Sequence, residues 1–300
     1  MNKQKNIDYF AQNLSPDIVH SVMDGASSGT EKRFNILNKD FENADELRVL
    51  AGKIKSHTIN NLDTYLDQAV KSMNKNGVQT HFAINAQTAR QIILELLKNN
   101  NIDRLVKSKS MATEEIHLNE YLEENGIDCL ETDLGEFIVQ LDKDKPSHIV
   151  KPIIHKNRND VASTFERFGL GSYNNDPETI TRRARAFMRK KFLESDVCIT
   201  GGNFISAESG KLVLVTNEGN ARFGISASKI HIALVGVEKL VPRDKDLGLY
   251  LNLLARSATG QHITVYTHFL TGPRKGNTLK GPEEMHVIFL DNGRIDLINT

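Results

Sequence analysis

Two lysines alternate with two serines in a short polar segment that follows an apolar run. The segment is Lys107-Ser108-Lys109-Ser110, and Thr113 comes three residues later as the expected N-cap of a helix. If the chain stays extended, both lysines share one face and both serines the other. Ammonium groups, hydroxyls and helix amides all favour a bound anion. The spacing therefore predicts an anion-binding site, and the alternative is a solvated basic loop before a helix.

A glutamate between asparagine and glycine follows a second apolar run. The residues are Asn217-Glu218-Gly219-Asn220, and their types leave two interpretations open. Asparagine can bind a ligand, or it can fix an ordinary turn together with a left-handed glycine. Because the carboxyl ends of strands in an open sheet meet at one edge, we expect this segment to lie within ligand reach of the lysine–serine segment.

Glu218 is the candidate catalytic residue of that cleft. A carboxylate that faces two lysines would stay ionised, and it could position a substrate hydroxyl or accept its proton. It could equally pair with Lys107 or Lys109 only to neutralise a polar turn. The residue types by themselves do not choose between these roles.

Paired glycines follow a third strand-like run, in Thr200-Gly201-Gly202-Asn203. Glycine lets the backbone approach a ligand closely, or it lets a strand and a loop pack tightly. We therefore count Gly202 and Asn203 among the candidate ligand contacts. The pattern is not the dinucleotide-binding fingerprint, and the chain has no P-loop and no H-E-x-x-H or C-x-x-C motif. No metal site is predicted.

The 300 residues carry 38 basic and 38 acidic side chains, so the formal net charge is zero. A neutral chain has no global field to attract nucleic acid or an anionic membrane, and no nucleic-acid partner is predicted. Its apolar runs are shorter than the about 20 residues that a membrane span needs. Cys129 and Cys198 lie in apolar runs, which predicts buried small hydrophobes in a reducing compartment, the cytoplasm.

The elements that must position these segments change character along the chain. Apolar residues three and four positions apart predict amphipathic helices over 45–75, and we assign 1–75 to a helical N-terminal arm. Residues 76–300 alternate strand-like and helical segments, which predicts an α/β domain. Two hairpins are predicted, one that turns at 208–211 and one at Asp291-Asn292-Gly293. The expected architecture is an open, mixed, mostly parallel sheet with helices on both faces.

Seven motifs occur in the same order as in a known family. Together they resemble the lactate utilization protein B family, whose N-terminal region is a LUD domain. The matching residues are Val-Lys-Ser-Lys-Ser-Met at 106–111, Glu-Thr-Asp-Leu-Gly-Glu at 131–136, His-Ile-Val-Lys-Pro-Ile-Ile-His at 148–155, Thr-Gly-Gly-Asn-Phe at 200–204, Thr-Asn-Glu-Gly-Asn at 216–220, Thr-Gly-Pro-Arg at 271–274 and Asp-Asn-Gly-Arg at 291–294.

The resemblance implies a fold similar to that of coenzyme A transferases and sugar-phosphate isomerases. It implies a role in oxidising L-lactate to pyruvate within a cytoplasmic complex, with a small anion such as lactate as substrate. The implied partners are a second iron–sulfur cluster protein and another LUD protein. Family members carry two four-iron clusters in a ferredoxin-like domain after the LUD domain. No cofactor is therefore expected in this chain, and a cysteine-rich domain is expected to follow residue 300 in the native gene.

Two other functions stay open at this point. The chain could be a free-standing enzyme similar to acyl and coenzyme A transferases, with Glu218 as the nucleophile, an idea that rests on analogy between folds. It could also be a non-catalytic assembly module that binds no small ligand. Neither the physiological substrate nor the oligomeric state follows from the residues.

Overall fold

The structure is a computed structural model that describes residues 29–144, 152–276 and 280–298. The start of the predicted arm and part of the motif at 148–155 lie outside the described residues. The strands are β1 (Gln79–Ala83), β2 (Arg104–Lys107), β3 (Asp128–Glu131), β4 (Val197–Thr200), β5 (Phe204–Ser206), β6 (Leu212–Thr216), β7 (Ile230–Gly236), β8 (Leu240–Val241), β9 (Tyr266–Leu270) and β10 (Glu284–Leu290). The helices are α1 (29–40), α2 (Ala44–Asn60), α3 (Leu62–Lys75), α4 (Ala86–Asn99), α5 (Met111–Glu115), α6 (Leu118–Glu124), α7 (Leu134–Asp142), α8 (Arg158–Arg167), α9 (Pro177–Glu194), α10 (Asn220–Ala227), α11 (Asp244–Thr259) and α12 (Arg294–Ile298).

Six strands form one sheet in the order β1-β10-β7-β4-β2-β3. Each pair of neighbours in this sheet is parallel. Every residue of β7 is buried, which agrees with its largely apolar sequence and with a central position between two covered faces. Because all six strands run in one direction, their carboxyl ends lie at a single edge of the sheet.

Helices cover both faces of this sheet, as predicted. On one face, α4 and α6 pack on the sheet, and Ile93 and Leu118 join the apolar cluster around Ile232. On the other face, Phe192 of α9 packs in a cluster with Cys198, while α3 and the second sheet form a further cluster. Each fully buried side chain of this kind stabilises the fold by about 1.5–3 kcal/mol. The open α/β architecture expected from the sequence is confirmed.

A smaller sheet has the order β8-β5-β6-β9. β5 and β6 are antiparallel, which confirms the hairpin predicted at 208–211. β9 is antiparallel to β6, and the short β8 is parallel to β5. The antiparallel part of the predicted mixed sheet thus lies in a separate layer beside the parallel sheet.

The prediction of a hairpin at Asp291-Asn292-Gly293 is wrong. Both edges of β10 are already occupied by β1 and β7, so an antiparallel partner has no place. Asn292 and Gly293 do adopt left-handed conformations, with φ of 48° and 86°. They turn the chain into α12, whose amide at Ile295 donates to the Asp291 Oδ1 at 2.8 Å. The two left-handed residues change the direction of the chain. Because β10 already has a neighbour on each side, the chain continues into a helix and not into a new strand.

In place of the single helix expected to begin at Thr113, the structure has two helices, α5 and α6, separated at His117. His117 adopts a left-handed φ of 50°, which ends the first helix and redirects the second. Ser110, not Thr113, is the N-cap residue of α5. Thr113 lies inside the helix, where its hydroxyl donates to the Ser110 carbonyl at 2.8 Å.

The described part of the arm packs on the rest of the chain through α2 and α3. Ala69 and Met73 of α3 are fully buried against the parallel sheet, and Ala51 of α2 packs near Leu253 of α11. Among the described residues, no helix combines the length and the apolar character that crossing a membrane requires.

Candidate functional site

A cleft of about 440 Å³ lies at the carboxyl ends of β2, β4 and β7, beside the second sheet. It brings the predicted segments together, although the lysine–serine segment and the segment at 217–220 are more than a hundred positions apart in sequence. The lining includes Ser108, Lys109, Ser110, Gly202, Asn203, Asn217, Glu218 and Asn220. This is the edge at which open α/β sheets bind ligands, and the volume is in the range of small-molecule sites.

Lys107 does not line the cleft, because its side chain is fully buried beneath it. Its Nζ lies 2.5 Å from the Glu131 Oε1, 3.0 Å from the Thr113 Oγ1 and 3.4 Å from the Glu114 Oε1. Burial by itself lowers the pKa of Lys107, but the neighbouring carboxylates, chiefly Glu131, outweigh it and hold the pKa above its ordinary value. The ammonium serves an internal ion pair, and a ligand contact for Lys107 stays a prediction without geometric support.

Lys109 is the lysine that faces the cleft, with 30% of its side chain exposed. Its Nζ donates to the Asp133 Oδ2 at 2.9 Å. The other oxygen of Asp133 accepts from the backbone amides of Gly135 and Glu136, at 3.1 and 3.3 Å, and so caps α7. An ammonium has three donors, so Lys109 keeps donors for a ligand while Asp133 holds it in place.

The serine hydroxyls stand deeper in the same cleft. Ser108 and Ser110 are nearly buried, yet both belong to its lining. A Cβ at Gly201 would lie 2.6 Å from the Ser110 Oγ, so only glycine leaves room for this serine. The paired glycines thus have a packing role, and they also keep the floor of the cleft free of side chains.

Glu218 lines the cleft and contacts the start of α7. Its Oε2 accepts from the Leu134 amide at 3.3 Å. Burial raises the pKa of Glu218, and the Asp133 charge raises it further, while the Leu134 amide and Lys109 lower it. The expectation that Glu218 faces two lysines is therefore wrong, whereas its ionisation stays a prediction. Lys107 is committed to Glu131, so one lysine and one opposing carboxylate act on Glu218.

The asparagines around Glu218 are engaged in building its turn. Asn217 donates to the Gln261 Oε1 at 3.0 Å and accepts from the Val265 amide at 3.1 Å. Asn220 accepts through its Oδ1 from the Ala221 amide at 2.9 Å. These contacts support the turn-building interpretation of both asparagines. Their ligand contacts stay predictions.

Gly219 and Asn203 also have structural tasks. Gly219 has a φ of 73°, a left-handed conformation that favours glycine, and it precedes α10 without lining the cleft. The Asn203 Oδ1 accepts from the Val215 amide at 2.9 Å, which joins the glycine loop to β6. Ligand contacts for Gly202, Asn203 and Gly219 stay predictions as well.

The cleft has a charged rim that the sequence patterns did not predict. Glu115, Asp133, Glu238, Lys239 and Arg294 all line it. Two of them belong to motifs that carry the family resemblance, at 131–136 and 291–294, but those motifs suggested no role for them. Arg294 pairs with Glu115 across 179 positions of sequence, a distance at which no local pattern indicates contact.

The cysteines do not fit an iron–sulfur cluster. The whole chain has two, and they lie on β3 and β4, which are separated by β2. Both are buried, as predicted, and burial raises the pKa of the Cys198 thiol to about 12. Within the described ranges, no group of three or more metal-ligating side chains is found. A cluster held by four cysteines therefore has no ligand set here.

Comparison with known proteins places the chain in a family. The LUD domain matches residues 66–290. Lactate utilization protein B of Shouchella clausii is 42% identical over 296 residues, which are 97% of this chain and 62% of that protein. Lactate utilization protein B of Bacillus subtilis is 41% identical over 298 residues, again with 62% of its length covered. The chain thus spans about three-fifths of the length of these relatives.

A solved structure also shares similarity with the chain. It is a DUF162 family protein from Deinococcus radiodurans, which is 13% identical, with a TM-score of 0.43 over 76% of this chain and 98% of that one. The family assignment rests on the sequence matches, which extend over most of the chain. This chain belongs to the LUD domain family.

Proposed function

We propose that this chain is the LUD domain of a lactate utilization protein, and that its cleft binds L-lactate for oxidation to pyruvate in a cytoplasmic complex. The observation that carries the proposal is the cleft at the strand ends, where Lys109 and Glu218 face the same space. The relatives that cover the chain bear the name lactate utilization protein B. A short 2-hydroxy acid needs one cation for its carboxylate and one acceptor for its hydroxyl proton.

The substrate carboxylate binds at the Lys109 ammonium and the two serine hydroxyls. Lys109 is held by Asp133 but retains free donor positions, since one of its three protons serves that ion pair. Ser108 and Ser110 are nearly buried, so their hydrogen bonds to a carboxylate form away from bulk water. This arrangement orients the acid with its carboxylate toward β2.

Glu218 accepts the hydroxyl proton as lactate is oxidised. Its raised pKa makes the ionised carboxylate a stronger base than an ordinary glutamate. Oxidation also removes the Cα hydrogen as a second proton, released to solvent, and two electrons that pass one at a time to iron–sulfur clusters outside this chain, because the two buried cysteines cannot hold a cluster. We assign substrate binding and proton transfer to this chain, and electron transfer to a second cluster protein and another LUD protein in the complex.

Thermal melting with L-lactate tests the binding step. A ligand that binds only the folded state raises the melting temperature, and the rise grows with the ligand concentration relative to Kd. Lys109→Met should abolish the shift and leave the apo protein folded. Lys71→Met is the matched control, because Lys71 also pairs with an aspartate but lies in α3, outside the cleft lining. An unchanged lactate shift in Lys109→Met would refute the role of Lys109.

Growth on lactate tests the chemical step. Glu218→Gln keeps the shape and the contact with the Leu134 amide, but it removes the proton acceptor. A strain that carries this variant should lose growth on lactate while the protein accumulates at the parent level. Normal growth would leave Glu218 a structural residue.

A second candidate function has one observation in its favour. Glu218 stands beside Gly219 with its carboxyl in the cleft, as an acyl-accepting nucleophile would. Its carboxylate would attack an acyl-coenzyme A thioester, with the thiolate leaving and a mixed anhydride forming. Exchange of labelled coenzyme A into the thioester, lost in Glu218→Gln, would support this function. A chain that neither binds lactate nor catalyses exchange would instead be an assembly module.

A further inference from the structure

An ion-pair cluster at the rim of the cleft joins three separate elements. The Arg294 guanidinium, at the start of α12, donates to both Glu115 oxygens, at 2.9 and 2.7 Å. Its Nε donates to the Glu238 Oε2 at 2.6 Å. Glu115 is the last residue of α5, and Glu238 lies in the 3₁₀ turn Val237–Lys239 that follows β7. One side chain thus connects two segments of the cleft lining.

Gly236 shows how closely this cluster lies over the end of β7. Its φ of −62° is open to any residue, so the glycine is not needed for its conformation. A Cβ at this position would overlap the Glu238 carboxylate and lie 2.7 Å from the Arg294 Nε. The ion pair therefore fills the space that a side chain would take at the carboxyl end of a central strand.

The guanidinium is committed to these contacts. Its charge is shared by two carboxylates, and only 18% of its side chain is exposed. Four of its five N–H donors serve Glu115, Glu238 and the Asp291 carbonyl, whereas Lys109 uses one of its three donors on Asp133. Arg294 consequently contributes to the cleft through the segments that it holds.

Among these segments, α5 depends most on tertiary contacts for its stability. A helix of five residues is not stable alone, since its nucleation cost exceeds the few hydrogen bonds that it forms. Its first turn is held by the Thr113 hydroxyl on the Ser110 carbonyl. Its last residue, Glu115, is held by Arg294 and by the Asn292 Nδ2 at 2.6 Å. The helix directly follows the lysine–serine segment, so its position determines where that segment lies relative to β7.

We propose that Arg294 is a positioning residue that fixes the separation between α5 and the turn after β7, and thereby sets the width of the cleft and its affinity for substrate. The effect on affinity rests on the proposed function, but the effect on width does not. A planar guanidinium suits this task, because it can form a bidentate pair and a further charged hydrogen bond at once.

Paired spin labels on the two segments measure the width directly. Met111→Cys and Lys239→Cys place labels on the cleft lining, at positions that are about half exposed. The native cysteines are buried and do not compete for the reagent. Arg294→Met should lengthen and broaden the distance distribution measured by electron paramagnetic resonance. The matched control is Arg182→Met, which removes an exposed pair with Glu178 on α9.

Lactate binding in the same variants tests the consequence for affinity. Arg294→Met should weaken binding by about tenfold or more, because a displacement of about an ångström removes the hydrogen bonds of an oriented ligand. Arg294→Lys should restore part of the loss, since one ammonium reaches one carboxylate well. Glu115→Gln releases only α5 and should broaden the distribution to a smaller degree, which keeps the test available if Arg294→Met folds poorly.

The outcomes separate this inference from the proposed function. A distance distribution that stays at the parent value in both Arg294→Met and Glu115→Gln overturns the inference, whatever happens to binding. Wider distributions in these variants support it even if the parent protein fails to bind lactate, a failure that would count against the proposed function alone. Equal broadening in Arg182→Met would also overturn it, because the effect would then be general loosening.

Discussion

Two ion pairs with the same sequence spacing, one at the ends of β2 and β3 and one just beyond them, have different roles. Lys107 pairs with Glu131, and Lys109 pairs with Asp133, so each lysine meets an acid 24 positions later. The first pair is almost completely buried, whereas 30% of the second lysine is exposed in the cleft. The two pairs have similar residue types and the same spacing, and they differ in how deeply they are buried. Burial makes Lys107 a structural residue, whereas the partial exposure of Lys109 leaves it available to a ligand.

The largest effect is expected at the buried pair. Lys107→Met leaves the Glu131 carboxylate buried without its cation, and one Glu131 oxygen already has no hydrogen-bond partner. Breaking a buried pair in this way costs about 3–5 kcal/mol. Urea denaturation should show that loss, while Lys109→Met should lose no more than about 1 kcal/mol. Equal losses in the two variants would refute the comparison.

The buried region should also make stability depend on pH through Glu136. Burial raises the pKa of Glu136 to about 7, and the charges of Glu131 and Glu114 contribute. Because the folded pKa exceeds the unfolded one, the folded state holds its proton longer. The contribution of Glu136 to the free energy of unfolding is therefore fully present below the unfolded pKa, near 4.5. It is lost as the pH rises toward about 7.

Glu136→Gln removes that dependence, so it should gain stability over the parent as the pH rises across this window. The gain should reach about 2–3 kcal/mol at neutral pH, from about 1.4 kcal/mol for each pKa unit. Denaturation midpoints of both proteins at several pH values from 4 to 8 provide the measurement. Parallel curves for the two proteins would contradict the prediction.

A smaller effect is expected on lactate affinity when the Lys109–Asp133 pair is changed. Asp133→Asn keeps a side chain that can cap α7, but it removes the charge that competes for Lys109. Lactate should then bind several-fold tighter, an effect of about 1 kcal/mol. Isothermal titration with L-lactate would measure it. Weaker binding would mean that Asp133 orients Lys109 more than it competes for it.

The smallest effect concerns the stability contribution of Glu218. Its pKa is raised by burial and by Asp133, so ionisation of Glu218 costs the folded state stability as the pH rises above the unfolded pKa. Glu218→Gln should therefore match or exceed the parent in stability at neutral pH, and lose this advantage in acid. A variant that is less stable than the parent at neutral pH would show that the charge is favourable in the fold.

Local patterns predicted much of the architecture. Periods of two and of three to four residues identified the strands and helices, and the polar turn at 208–211 identified the β5–β6 hairpin. The rule that strand ends share an edge predicted that 107–110 and 217–220 would meet, and both segments contribute residues to the cleft. These features depend on neighbours in sequence or on a general property of parallel sheets, so a single sequence contains them.

Depth and long-range pairing were decided only by the tertiary structure. An extended segment shows that Lys107 and Lys109 alternate with serines, but not that β2 ends at Lys107 and buries it against Glu131. The same holds for Asp291-Asn292-Gly293, whose turn leads to a helix because β10 already has two neighbours. Arg294 finds Glu115 and Glu238 only when three distant segments meet. Desolvation and ion pairing depend on what surrounds a side chain in space, and the order of residues along the chain does not contain that information locally.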